Sequence, residues 1–496
     1  MIRNKYFFLF LIIIVASFFR LYNLSETPPG LYPDEAMNGN NALEANATDN
    51  YKVFYAENNG REGLFINIQA GFLKFLPNTP ETLRLPSAIF GVLTVFGLYL
   101  LVKELFINKN RREKETIALL SSFFLAISFW HINFSRIGFR AIMAPFFAVF
   151  ALYFFLKAIQ FPENAGKKAY FLSALGGIFF GLGFYSYIAY RVLPLLFLLF
   201  IPFFYKNRQF WKFTLFFIFF TALFAAPLGI YFLNNPQDFF GRTSQVSIFN
   251  SSSPIKILSE NILKTFGMFN FVGDFNWRHN FSGSPLLYWP IGIFFLIGLF
   301  ISIFHFIISC PPFNKNKIQN QLPFSVIFSW FILASLPVII SSEGLPHALR
   351  AILMAPPVFI FSAIGGEYIF RKLKEFSPIF RKTSFFFTSI FFLLLILNSY
   401  QRYFFEWANN ENTRNAFSSD YVEIGKIINS LPLEEKKYII VENSGVLVRD
   451  IPMPSQTIMF ITDTFTPEKQ KEKNIFYILP DKEKSVPQDA KYVFKI

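Results

Sequence analysis

Pro28-Pro29-Gly30-Leu31-Tyr32-Pro33-Asp34-Glu35-Ala36 follows almost directly on the apolar run Tyr6 to Leu21. Two adjacent carboxylates therefore stand where a membrane-length helix reaches water. Two readings apply. Pro33 suits the first position of a helix, and Asp34 and Glu35 then favour the positive end of its dipole. The same pair also suits a catalytic acid placed at the depth of a lipid head group. The two readings are compatible, and the rest of the chain weighs between them.

Outward from this stretch the chain reads as polytopic. It has 496 residues, 53% hydrophobic and 16% charged, with 73 Phe. Soluble domains carry about 25% charged residues. Apolar runs close to the ~20 residues that cross a bilayer recur along most of it. Eleven spans are predicted, at about 5–22, 83–102, 116–131, 141–157, 170–186, 190–205, 213–233, 286–309, 323–341, 348–369 and 384–400. The net charge of +14 sits mainly in short loops such as Lys103 to Lys114, Lys206 to Lys212 and Arg371 to Lys382. That pattern marks the cytoplasmic side and not a nucleic-acid face. It places the N-terminus inside, with the Asp-Glu pair and the tail beyond residue 400 outside. The first span reads as uncleaved, with Arg20 snorkelling at its outer end. A cleaved signal peptide is the alternative. The lone Cys310 excludes an internal disulfide and a cysteine zinc site.

Two outer loops are long, 23–82 and 234–285. Within the first, Gly63 to Phe75 is apolar but too short to span, and reads as an interfacial helix. Beyond residue 400 the composition becomes that of a small α/β module. A helix starts near Ser419, and strands are predicted at 437–442, 457–461, 474–479 and 491–496.

Charges near a bilayer are costly, so each asks for a reason. Asp34, Glu35, Arg61, Glu62, Arg84, Arg136, Arg140, Arg191, Glu343, His347 and Arg350 all fall at the outer ends of spans. Anchoring at head groups accounts for any one arginine. Together they suit a substrate with a lipid tail, a phosphate and a polar head: arginine holds phosphate bidentately and a carboxylate faces the head. A sugar on a polyprenyl phosphate already carries a good leaving group, so cations suffice where it departs. The attacking hydroxyl needs a base. One carboxylate with one or two cations is then enough, and the product is inverted. Adjacent Asp34 and Glu35 diverge on a helix, which fits a hydrolase with opposed carboxyls poorly.

This arrangement resembles the GT-C glycosyltransferases that use lipid-linked sugar donors, in particular the protein O-mannosyltransferase and aminoarabinose lipid A transferase group. The resemblance rests on Pro28-Pro29-Gly30 through Asp34-Glu35-Ala36, Arg84-Leu85-Pro86-Ser87-Ala88, Ser135-Arg136 with Arg140, Tyr187 with Arg191, and His347 with Arg350 before Pro356-Pro357. It covers about residues 1–400 and implies a transmembrane catalytic domain there, while composition and span count place an extracytoplasmic α/β domain at 401–496. It implies Asp34 as base, with Glu35 assisting the acceptor or orienting the site. Arg61 and Glu62 stand where relatives keep donor-phosphate or metal contacts, although relatives often carry a Lys-Pro-Pro-like run where this chain has Arg61-Glu62-Gly63. Arg61, Arg191 and Arg350 are the candidates for the lipid phosphate, with Arg136, Arg140, Tyr187 and His347 around the substrate. No metal is assigned: His347, Glu343 and Glu62 can supply ligands, but no spacing compels them, and a divalent ion is not required. The partners expected are the lipid-linked donor, a hydroxyl acceptor on protein, lipid or glycan, and membrane lipid. Rival readings are a flippase for lipid-linked sugars, which the clean centres of the spans oppose, and a non-catalytic scaffold.

Overall fold

The computed structural model describes residues 5–161, 166–245, 248–250, 253–308, 315–342 and 344–496. Among them, seven helices are long and apolar enough to cross a membrane: Pro80–Leu105, Arg140–Ile159, Arg208–Asn234, Trp289–Ile307, Gln321–Ile339, Ile352–Phe376 and Pro378–Trp407. The other four expected spans are also helical, but shorter or interrupted. Lys5–Leu21 and Arg111–Ile127 have 17 residues each. Gly166–Gly183 has 18 and opens with Lys167 and Lys168. The segment expected at 190–205 is broken into the turn Ile188–Val192 and the short helices Pro194–Leu198 and Ile201–Phe204. Pro194 and Pro202 each remove a backbone donor, which explains the breaks.

Glycine sets how closely the spans pack. A Cβ on Gly298 would lie 1.8 Å from the Phe361 carbonyl oxygen, and one on Gly365 would lie 2.0 Å from that of Phe294. Helices Trp289–Ile308 and Ala355–Phe376 therefore meet backbone to backbone, as small residues allow in membranes.

The 26-residue helix Pro80–Leu105 defines two ends of the bundle about 39 Å apart. Lys103, near its close, pairs with Glu115 at 3.3 Å, as does Lys5 from the first span. Arg84, near its start, belongs to the opposite end, where the long loops gather. The Asp-Glu stretch forms the loop helix Pro33–Thr48, with Pro33 at its first position and both acids in its first turn. It packs on the apolar helix Leu64–Leu73, which corresponds to the expected short segment.

Two expectations are corrected. Arg20 does not snorkel. It is fully buried and donates to the carbonyls of Ala16, Leu125 and Ala126 and to His131 Nδ1. Leu125 and Ala126 close the helix Arg111–Ile127, where carbonyls lack intrahelical partners and attract a cation. The stretch expected as the second outer loop, 234–285, holds helices Pro236–Gln245 and Pro254–Gly267. Thr457 to Ile461 is helix, Gln456–Thr462, and not strand. Phe460 packs with Leu31, Ala36 and Leu83, Ile458 with the C-terminal sheet, and Met459 with Met37. A helix buried on every side shows no apolar stripe, so its period cannot be read.

The remaining C-terminal strands are Lys437–Ile440, Ile475–Ile478 and Tyr492–Lys495. They form a parallel sheet with Lys437–Ile440 in the middle, Lys437 standing opposite both Ile475 and Tyr492. The last span runs past residue 400 as a wide turn, Gln401–Trp407. There Trp407 Nε1 donates to the Trp277 carbonyl at 2.9 Å.

Candidate active site

A cavity of about 580 Å³ lies at the loop-bearing end. The loop helix projects Asp34 and Asn38 into it, and the two-residue strand Arg61–Glu62 supplies both its charged side chains. The entry to helix Arg140–Ile159 contributes Arg140, and the broken segment 188–204 contributes Arg191 with Tyr187 just before it. His347 and Arg350 come from the connection into helix Ala355–Phe376. Eight of the ten residues singled out from the sequence thus line one space: Asp34, Arg61, Glu62, Arg140, Tyr187, Arg191, His347 and Arg350.

Asp34 is half-buried, and Asn58 Nδ2 donates to its Oδ1 at 2.8 Å. Arg61 is buried. Its Nη1 donates to Asn38 Oδ1 at 2.8 Å and its Nη2 to Asn41 Oδ1 at 2.6 Å, while its Nε has no hydrogen-bond partner among the described residues. Burial and the nearby Arg140 pull its pKa down to about 10, so it remains a cation at neutral pH. Glu62 ties two elements together: Arg140 Nε donates to it at 2.7 Å, and Arg191 approaches to 3.6 Å. Arg191 also stacks on Phe239, 4.3 Å from the ring centre. Arg350 bonds Ser341.

Glu35 and Arg136 are not among the lining residues. Glu35 is fully buried. Its Oε2 accepts from Arg84 Nε at 3.1 Å and from the Gly138 amide at 2.7 Å. Arg84 in turn donates to the carbonyls of Pro28 and Gly30 at 2.8 and 2.7 Å. The pair pins the 28–36 stretch to the second span, so in this structure Glu35 touches no open space. Arg136, equally buried, donates to the carbonyls of Phe19, Asn23 and Thr27, which end the first span. Both residues position the loop; neither reaches the cavity. Glu343 lies outside the described residues.

The cavity also holds residues not foreseen: Asn38, Asn58, Asp238, Arg278 and His279. Arg278 lies over the Tyr32 ring at 4.0 Å. The run Asp274-Phe275-Asn276-Trp277-Arg278-His279-Asn280 is a readable signal, with five polar residues in seven and one of only four histidines in the chain.

Asp274, His279 and His347 bring their ligand atoms within 4.8 Å of one another and can be considered for a metal. Their hydrogen bonds already tie them to one another and to the backbone. Asp274 Oδ2 accepts from His279 Nδ1 at 3.0 Å and from the Ala348 amide at 2.8 Å, and its Oδ1 accepts from the Asn276 amide at 2.8 Å. His347 Nδ1 accepts from the Arg350 amide at 3.3 Å. Burial lowers the pKa of both histidines, which keeps the rings neutral. These bonds make the group a brace between two loops, and they engage the Nδ1 atoms of both rings.

The fold is that of the GT-C glycosyltransferases. Over 96% of its length the chain superposes on 65% of the apo oligosaccharyltransferase of Archaeoglobus fulgidus, with TM-score 0.56 and 12% identity. It superposes likewise on the oligosaccharyltransferase AglB from Archaeoglobus fulgidus in complex with an inhibitory peptide and a dolichol-phosphate, with TM-score 0.55 and 14% identity over 92% of this chain and 64% of that one. ArnT from Cupriavidus metallidurans in the apo state matches with TM-score 0.53 and 12% identity, covering 91% of this chain and 83% of that one. The chain spans less than two thirds of the length of the archaeal enzyme. The family model described as dolichyl-phosphate-mannose-protein mannosyltransferase matches residues 64–231, the part that carries Arg84, Arg136, Arg140 and Arg191. No curated protein matches the chain by sequence.

Proposed function

We propose that the protein is an inverting membrane glycosyltransferase that moves a sugar from a polyprenyl-phosphate donor to a hydroxyl acceptor, with Asp34 as general base, on the extracytoplasmic face. One observation carries this reading: Asp34 shares a single cavity with five arginines, Arg61, Arg140, Arg191, Arg278 and Arg350, against two further carboxylates, Glu62 and Asp238. The excess of cations suits a phosphate, and Asp34 suits the proton.

In the reaction the acceptor oxygen attacks the anomeric carbon from the side opposite the phosphate. Its proton passes to the Asp34 carboxylate. The bond from the sugar to the phosphate oxygen breaks, and the phosphate keeps the electron pair. Guanidinium groups receive the added negative charge in a site partly shielded from water. The cavity's arginines offer positive charge for the departing phosphate, and Asp34 offers a place for the proton. One fold relative, AglB, is described in complex with a dolichol-phosphate, a lipid carrier of this kind. The gathering of Lys5, Lys103 and Glu115 at the opposite end supports a cytoplasmic N-terminus and an outward-facing cavity.

The test is sugar transfer by purified protein in liposomes, with a polyprenyl-phosphate sugar as donor. Turnover is expected, and no transfer to any hydroxyl acceptor would remove the reading. In the same system Arg61→Ala is expected to weaken polyprenyl phosphate binding roughly 10- to 100-fold, the range for losing a charge-assisted hydrogen bond. Unchanged affinity would take Arg61 out of the phosphate site.

A further inference from the structure

The loop helix Pro33–Thr48 has little apolar surface of its own, yet it carries the candidate base. Its two faces are used differently. Asp34 and Asn38 line the cavity, and Asn41, one turn on, holds Arg61. Met37, Asn40 and Glu44 lie on the other side and meet the C-terminal module. Met37 packs with Val448, Met453, Met459 and Phe465. Asn40 Nδ2 donates to the carbonyl and side-chain oxygens of Gln456 at 3.1 and 2.9 Å. A Cβ on Gly39 would come within 2.6 Å of the Phe460 ring, so helix and module fit closely.

Arg449 completes the contact. It stands at the tip between strands Leu447–Val448 and Ile451–Pro452, and both tip residues, Arg449 and Asp450, have positive φ. That is the backbone of a tight two-residue hairpin turn, which holds the Arg449 side chain at the tip. Arg449 Nη2 bonds Glu44 Oε2 at 2.8 Å and its Nε bonds Glu57 Oε1 at 2.9 Å. Glu57 Oε2 accepts from Asn41 Nδ2 at 3.0 Å, and Asn41 Oδ1 accepts from Arg61 Nη2 at 2.6 Å. The carboxylate of Glu57 and the guanidinium of Arg61 fix the Asn41 amide from its two ends. Glu57 takes the amide's NH2 group while its oxygen meets the guanidinium, so the carboxylate holds the Asn41 side chain where Arg61 needs it.

We propose that the C-terminal module clamps the helix bearing Asp34, and that Arg449 is a positioning residue that orders Arg61 through Glu57 and Asn41. The link to donor binding rests on the function proposed above, while the clamp itself does not. In the clamped state the distance between the base and the phosphate-holding cation is set from outside the membrane bundle.

The experiment uses the full-length protein and two readouts, polyprenyl phosphate affinity and amide hydrogen exchange over residues 33–48. Arg449→Ala is expected to weaken binding about three- to tenfold, as loss of a charge-assisted hydrogen bond allows, and to speed exchange in the loop helix by a similar factor. Arg449→Lys keeps one ion pair and falls between. Arg449 and Asn41 share no contact, so coupling between them reports the relay. The double variant with Asn41→Ala is expected to bind no more weakly than Asn41→Ala alone. Additive losses would overturn the relay, and unchanged exchange in Arg449→Ala would overturn the clamp. A wild-type protein that fails to bind polyprenyl phosphate would overturn the donor reading, and the exchange data would then still decide the clamp.

Discussion

Asp34→Asn lowers kcat by roughly 10²- to 10⁴-fold, the usual contribution of a general base, while fold and donor affinity stay near those of the wild type. Asp34 is half-buried and its hydrogen bond is with the Asn58 side chain, whose Nδ2 donates to Oδ1. An amide oxygen at residue 34 still accepts from Asn58, so the substitution removes basicity and keeps geometry. The proposed role of Asp34 lies only in taking the acceptor's proton, so the loss belongs in kcat and not in donor binding. Steady-state kinetics with a saturating polyprenyl-phosphate sugar, beside direct binding of polyprenyl phosphate, separates the two. Full activity in this variant would remove Asp34 from the mechanism.

Glu35→Gln has a large effect of another kind. Glu35 and Arg84 form a fully buried ion pair at 3.1 Å, and Arg84 also holds the carbonyls of Pro28 and Gly30. Taking away one partner leaves a buried charge uncompensated, at a cost of about 3–5 kcal/mol. Arg84→Ala removes the other partner and leaves Glu35 with the Gly138 and Tyr32 amides alone as donors. Both variants are expected to show a clearly lower Tm and poor recovery from membranes, whereas Asp34→Asn keeps the wild-type Tm. Thermal unfolding in detergent checks this. A Glu35→Gln protein of wild-type stability with lost turnover would return Glu35 to the chemistry. The two neighbours thus separate by what each side chain faces: residue 34 looks into the cavity and residue 35 into the protein.

Much of this was legible in the sequence because membrane constraints are strong. Seven of the expected spans correspond to helices long and apolar enough to cross a membrane, since a polar backbone in lipid leaves few alternatives, while the segment expected at 190–205 is broken. The turn at Pro33 with its two acids carried local signals that the structure repeats. Eight candidate residues converge because charged side chains at span ends gather at one end of the bundle. What the sequence could not show is which charges pair with each other. Glu35 and Arg84 are 49 residues apart, and only the packing of the second span against the loop reveals that they meet. Arg20 and Arg136 look like anchors in sequence, yet each is spent on backbone carbonyls at helix ends. Asp274, Arg278 and His279 were missed because the loop that holds them folds back onto the cavity through contacts far along the chain, such as Asp274 with the Ala348 amide. The helix Gln456–Thr462 was misread because burial on all sides erases the pattern that separates helix from strand.

The central claim is a single displacement: an alcohol, deprotonated at Asp34, replaces a lipid phosphate on the far side of the sugar carbon. Comparing the anomeric configuration of the transferred sugar with that of the polyprenyl-phosphate donor, by proton NMR of the product, tests it directly. The account predicts the opposite configuration in the product. The donor's own configuration, retained, would contradict it.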